Sequence, residues 1–344
     1  MMRLPYFKYH SPKSASEAAS ILSDSPAETM LVAGGTDVLP NMKRRQQTPK
    51  VLVGLRNIKE LRISTNGSGV SLGAGMNLTQ IVRDQNVRMQ YSALWQAVAQ
   101  IATPQLRNMG TIGGNLCLDT RCNYYDQNYE WRKAINFCIK KDGDICWVAT
   151  SSPKCLAVSS TDSAPALIVL NASVLLVSKS GERDVKVEDL YQNDGIHYTT
   201  RRPDELLTNI LLPPSDGWKS CYWKLRRRGS FDFPVLGVAA ALKLDGNANV
   251  TGARIVLGAV ASRPLVSLKA AEFLIGKKLD DATLSRAADI ASELAKPMDN
   301  TDFMLGWRKR MAREFVIYAL RDLRGENLRD VRYKYAKQSL DCVY

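Results

Sequence analysis

The stretch LVAGGTDVLP, residues 31–40, runs an apolar segment into two glycines and then into a threonine, an aspartate and the opening of a helix. The apolar residues predict a buried strand, and the glycines a tight turn in which φ is free to become positive. Such a turn aims backbone N–H groups at one point, and the helix N-terminus behind it adds partial positive charge. Thr36 is placed both to cap the helix and to offer its hydroxyl to a phosphate oxygen. Taken alone, this stretch is more simply read as a tight turn with no ligand.

Working outward, residues 12–57 read as one α/β unit. Ser14 and Glu17 have capping-box spacing ahead of the short helix AASIL, and KVLVGL is a second buried strand. A second unit opens near residue 60, where GVSLGAGMNLTQIVRD reads as strand then helix and YSALWQAVAQIA as further helix. APALIVLNASVLLVS and DELLTNILLP read as strands of the same unit. A third unit begins near Gly217, and its runs on either side of DGNAN predict a hairpin. In MLGWRKRMAREFVIYALRDLRG, Trp307, Met311, Phe315 and Ala319 share one helical face and read as core. Arg308, Lys309, Arg313 and Arg321 fall on the other faces, and Gly325 is a natural stop. The expected divisions are 1–57, 58–216, 217–325 and a polar tail, 326–344.

A second donor-rich turn, RNMGTIGGNL, places Gly110, Gly113 and Gly114 beside Thr111 and Asn115. Two such loops in adjacent units are able to sandwich one pyrophosphate. Neither has GxGxxG spacing, so a dinucleotide would be held in some way other than a Rossmann turn.

With 344 residues, 45% of them apolar and 24% charged, the chain has the composition of an ordinary globular protein of two or three units. No run approaches the ~20 apolar residues of a membrane span, and MMRLPYFKYHSPKS lacks an apolar leader, so a cytoplasmic protein is expected. The net charge of +13 favours an acidic partner or an anionic cofactor. No nucleic-acid-binding motif accompanies the basic groups Lys43 to Arg45, Arg201-Arg202, Arg226 to Arg228 and Arg308 to Arg310, so nucleic acid is not the expected counterpart. The two histidines, His10 and His197, read as structural, and no catalytic triad or histidine pair is present.

Four of the seven cysteines, Cys122, Cys138, Cys146 and Cys155, lie in one polar, aromatic-rich stretch with spacing C-x15-C-x7-C-x8-C. In a reducing compartment they are expected to be ligands or reactive thiols before disulfides. The spacing lacks the C-x2-C pairs of zinc ribbons and bacterial ferredoxins, so it leaves zinc, an iron–sulfur cluster and no metal all open. Cys117, Cys221 and Cys342 read as non-ligands.

AGGTD (33–37), GTIGGNL (110–116), TDSAPAL (161–167) and KLRRRGSFDFP (224–234) together resemble the FAD-binding subunits of the molybdenum hydroxylase family. The resemblance extends over residues 1–325. It implies a mixed α+β and α/β fold: a two-part FAD-binding α/β domain, then a C-terminal α/β domain. On these motifs it implies that Leu31, Val32, Ala33, Gly34, Gly35, Thr36, Asp37 and Val38 wrap the pyrophosphate. Ile101 would line the cofactor site, and Thr111, Ile112, Gly113, Gly114 and Asn115 would form the second phosphate loop. Asp162 would be the acidic cofactor contact, Leu206 would offer its backbone, and Lys224 would sit near the isoalloxazine. A lysine there stabilises negative charge on the reduced ring and so raises its potential.

In most subunits of that family the GGN loop passes almost directly to the PAL segment, whereas here residues 118–160 intervene. An insertion with its own thiols suggests a grafted cofactor. GGNLCLDTRCNYYDQ and the four spaced cysteines resemble the 4-hydroxybenzoyl-CoA reductase branch of the family, whose flavin subunits carry a 4Fe–4S cluster as well as FAD. Tyr124, Tyr125, Tyr129, Trp131, Phe137 and Trp147 would shield such a cluster, and Arg121, Lys140, Lys141 and Lys154 would balance its charge. The resemblance further implies an electron-input role. Ferredoxin would be the donor, a small 2Fe–2S subunit and a large molybdenum-cofactor subunit the partners, and a dimer of heterotrimers the assembly.

Overall fold

The computed structural model describes residues 3–229 and 231–337. Three sheets follow one another along the chain. The first is parallel, in the order β1-β3-β2, from β1 (Lys8–His10), β2 (Thr29–Val32) and β3 (Val51–Gly54). Ser14 caps the helix Ala15–Asp24 by accepting from the Glu17 amide, and that helix buries Ala18, Ala19 and Leu22. The strand β1 had no counterpart in the sequence reading, because three residues are too few to show a period.

The second sheet has the order β4-β5-β8-β6-β7, all antiparallel: β4 (Ser64–Asn66), β5 (Val70–Gly73), β6 (Ser173–Ser178), β7 (Gly181–Lys186) and β8 (Leu206–Leu212). The third has the order β12-β11-β10-β9, from β9 (Lys219–Leu225), β10 (Leu236–Leu244), β11 (Val250–Gly258) and β12 (Leu265–Val266). The expected hairpin is the β10–β11 pair. The mixed fold expected from the resemblance is the one observed.

Three expectations give way. Residues 164–169, read as the start of a strand, lie in the helix Ser163–Val169, and all seven of that helix's residues are buried. A short apolar run with no polar face carries no period that separates helix from strand. The segment taken as polar tail includes the helix Arg329–Lys337. Its Arg332 lies 3.9 Å over the Trp223 ring, and its Tyr335 packs 5.0 Å from Phe315. Cys342 lies outside the described residues.

The third correction concerns Arg308. The helix Leu305–Arg324 buries Met311, Phe315 and Ala319 as its stripe requires, and Gly325 ends it at φ +104°. Arg308, expected on an outer face, is instead fully buried and donates to the carbonyls of Val235, Ala259 and Met298. These three carbonyls belong to chain that has no sheet or helix partner to offer them, so the guanidinium fork takes that place.

Candidate functional site

A cleft of about 230 Å³ opens between the first two sheets. Leu31, Ala33, Gly34, Gly35, Asp37 and Val38 line it from one side, Thr111, Gly113 and Gly114 from another, and Leu206 from β8. The two glycine turns touch. A Cβ at Gly34 would collide with the Met109 carbonyl, and Gly35 holds φ at +71°, so a side chain is blocked at the first position and strained at the second. Among the described residues, the amides of Gly34 and Gly35 donate to no protein acceptor and are free for a ligand. Thr111 caps the following helix by accepting from the Gly114 amide. Thr36 does not cap its helix. The N-cap is Asp37, and its carboxylate makes no capping bond because Arg121 holds it.

The remaining expected residues form a second group. Ile101, Asp162 and Lys224 do not line this cleft. Lys224 Nζ lies 3.1 Å from the carbonyl of Gln100, next to Ile101, and 2.9 Å from Asp162 Oδ2. The Tyr222 hydroxyl donates to Asp162 Oδ1 at 2.8 Å. Burial opposes charge on both members, and their mutual attraction counters it. Asp162 stands at the start of the helix Ser163–Val169 but forms no capping bond. Asn115 joins the two groups, its Oδ1 accepting from the hydroxyls of Thr161 and Ser163 at 2.9 and 2.6 Å. Ile112 is fully buried core, and Val32 ends β2.

Sequence reasoning missed several cleft residues, among them Gly75, Asp119, Tyr198 and Arg201. Arg201 had been noted only as one of a basic pair. It donates to the Arg202 and Glu205 carbonyls, which fixes it beside Leu206. Nothing local marks such residues, since they reach the cleft only when distant loops close over it.

The insertion brings its thiols together. Cys122, Cys138 and Cys155 pack with Tyr125 and Ala157 in one small core, and Cys146 is buried next to it. Cys122 interacts electrostatically with Cys138 and Cys155, and Cys155 with Cys138 and Cys146. Burial pushes the Cys122 thiol up to about 12 and the Cys155 thiol up to about 11, and Lys140 works against the rise at Cys155. Among the described residues no group of three or more His, Cys, Asp or Glu side chains is arranged to hold a single metal ion. The sulfurs are therefore neighbours that are not drawn in to the ~2.3 Å coordination sphere of one zinc. Tyr124, Tyr125 and Trp147 pack against the thiols as expected, whereas Tyr129 and Trp131 are exposed at 42% and 40%.

The insertion is bonded to the first unit. Gln46 Nε2 donates to the Tyr125 carbonyl at 2.5 Å, and the buried Arg132 donates to the Arg44 carbonyl at 3.2 Å. Gln47 Nε2 lies 3.3 Å from Asp119 Oδ2, and Lys140 Nζ lies 2.8 Å from Asp119 Oδ1. The insertion is thus stitched to the loop that follows the helix Val38–Lys43.

An α/β cleft made of two abutting glycine turns, with the Gly34 and Gly35 amides free, is suited to an anionic group such as a pyrophosphate. The chain belongs to the family described as the FAD binding domain in molybdopterin dehydrogenase, whose model matches residues 5–215. The CO dehydrogenase flavoprotein C-terminal domain matches residues 220–323. An aldehyde oxidoreductase FAD-binding subunit of Escherichia coli is 33% identical, over 75% of this chain and 82% of its own length. A carbon monoxide dehydrogenase medium chain of Afipia carboxidovorans is 30% identical, over 89% and 92%. Among solved structures, the carbon monoxide dehydrogenase of Hydrogenophaga pseudoflava superposes with a TM-score of 0.76 at 27% identity, covering 93% of this chain and 98% of that one. The protein is thus the FAD-binding subunit of a molybdenum hydroxylase family oxidoreductase. Among the described residues no helix is long and apolar enough to cross a membrane.

Proposed function

We propose that this chain is the electron-input subunit of a molybdenum-dependent reductase of the 4-hydroxybenzoyl-CoA type. In the overall reaction, two electrons and two protons convert the phenolic substrate to benzoyl-CoA and water. Its partners would be a large subunit with the molybdenum cofactor and a small one with 2Fe–2S clusters, in a dimer of heterotrimers in the cytoplasm. The observation that carries this reading is the gathering of three buried thiols, Cys122, Cys138 and Cys155, in one small core, with Cys146 buried near Cys155. FAD and a 4Fe–4S cluster supply electron transfer when bound, and the protein's part is to hold, orient and screen them.

The amides of Gly34 and Gly35 and the Thr111–Asn115 turn would hold the pyrophosphate. Leu206 and Arg201 would close the cleft. Ile101 would flank the ring system, with the Asp162–Lys224 pair behind it. Cys122, Cys138, Cys146 and Cys155 would be the cluster ligands, with Lys140 offsetting thiolate charge.

Ferredoxins are acidic, so the net charge of +13 suits ferredoxin as donor. Reduction by ferredoxin should then slow steeply as ionic strength rises, and a flat profile removes that donor. The names of the relatives, which include aldehyde oxidoreductase and carbon monoxide dehydrogenase, favour a second reading. In it the chain serves another molybdenum hydroxylase or aryl-CoA reductase, with a structural zinc in the insertion. Anaerobic purification with iron, acid-labile sulfide, zinc and flavin quantified separates the two. Four irons and four sulfides per FAD with a reducible EPR signal support the first reading, and one zinc per chain overturns it.

A further inference from the structure

We propose that Arg121 is a positioning residue that couples occupancy of the flavin cleft to occupancy of the cysteine cluster. The inference rests on the reading of the four cysteines as cluster ligands. Arg121 immediately precedes Cys122, and its side chain is 13% exposed. It meets three separate parts of the molecule at once. One guanidinium nitrogen pairs with the carboxylate of Asp37, which follows the first glycine turn and lines the cleft. Another lies 3.4 Å from Asp126, whose second oxygen accepts from the Cys122 amide at 3.3 Å. The guanidinium also stacks 4.5 Å over the ring of Phe233, in the loop between β9 and β10. Its own backbone is pinned to Val158 by bonds of 2.8 and 2.7 Å in both directions.

The physical consequence follows from sharing one cation between two partly buried acids. When the cysteines are not tied together, the 122–126 turn loosens and Asp126 releases its side of the fork. Arg121 then loses orientation, and Asp37 is left as a partly buried carboxylate with a poorly held partner, which weakens the start of its helix. Asp37 starts the helix behind the pyrophosphate turn, so the turn that must receive FAD is less ordered. Ordering one site therefore lowers the cost of filling the other, and the effect must be reciprocal. A lysine at this position would lack the planar fork needed to serve both acids.

The test uses the full chain under anaerobic conditions, either reconstituted with ferrous iron and sulfide or kept iron-free with a chelator. Each form is titrated with FAD, followed by quenching of flavin fluorescence. In the wild type the FAD dissociation constant should be roughly 5–50-fold higher for the iron-free form. In Arg121→Ala the two forms should bind FAD with equal affinity. Equal affinities in the wild type, or an undiminished difference in Arg121→Ala, overturn the proposal. If Arg121→Ala does not fold, Asp126→Asn cuts the insertion side of the link, leaves the Asp37 pair in place and is judged by the same criterion. A wild-type chain that binds FAD but takes up no iron overturns the cluster reading itself, and is distinguished by iron content before any titration.

Discussion

Lys224 Nζ stands 2.9 Å from Asp162 Oδ2, with both side chains removed from solvent. The two residues that the family resemblance assigns to separate cofactor contacts are therefore one ion pair, completed by the Tyr222 hydroxyl and the Gln100 carbonyl. A lysine so neutralised presents a dipole rather than a bare cation to whatever lies beside it. The expectation that Lys224 acts as a cation on a flavin ring becomes a prediction about the pair: Asp162 and Lys224 should act on any such ring together.

Removing one partner should be far more harmful than removing both. Lys224→Met leaves the Asp162 carboxylate buried and uncompensated, with a cost of about 3–5 kcal/mol. The double variant Asp162→Leu/Lys224→Met should recover much of that loss in urea unfolding. Flavin reduction potentials measured on the folded double variant then report what the pair does to the ring.

Gly34→Ala should abolish retention of FAD through purification, because the new Cβ meets the Met109 carbonyl and forces the two glycine turns apart. Gly35→Ala meets mainly the movable Leu39 side chain but must hold φ at +71°, a strain of roughly 1–2 kcal/mol. It should bind FAD more weakly without losing it. The ratio of 450 nm to 280 nm absorbance after gel filtration separates the two outcomes.

Arg308→Met should lower stability by about 3 kcal/mol or more, since the carbonyls of Val235, Ala259 and Met298 lose their donor inside the protein. Arg308→Lys should recover only part of it, because an ammonium does not span three carbonyls as the planar fork does. Denaturant midpoints for the three proteins are the measurement.

Glu205 gives a pH-dependent prediction. Burial acts to raise its carboxyl, but the paired bonds from Arg183 at 2.6 and 2.9 Å and the Arg202 amide outweigh that and hold it below the ordinary range. A depressed folded value means stability that is present above the unfolded pKa and lost as pH falls through the folded one. Glu205→Gln should therefore cost about 1–3 kcal/mol at pH 7. The difference from wild type should shrink once pH drops below about 4.3. Thermal melts of both proteins across pH 3–7 check it.

What could be read along the chain was whatever depends on a residue and its near neighbours. The Gly34-Gly35 turn, the β10–β11 hairpin and the stripe from Trp307 to Ala319 all declare themselves through φ freedom or period. The thiol set was visible as composition, and the resemblance supplied the rest of the site. What had to await the folded chain were relationships between segments remote in sequence. Arg308 looks like one more surface cation until three unpaired carbonyls close round it, and Ser163–Val169 has no polar face to betray its helical turn. Arg121 sits 84 residues from Asp37. No local pattern records which acid a cation will face, because that choice is made by the packing of whole units, where a buried charge must find a partner or be excluded.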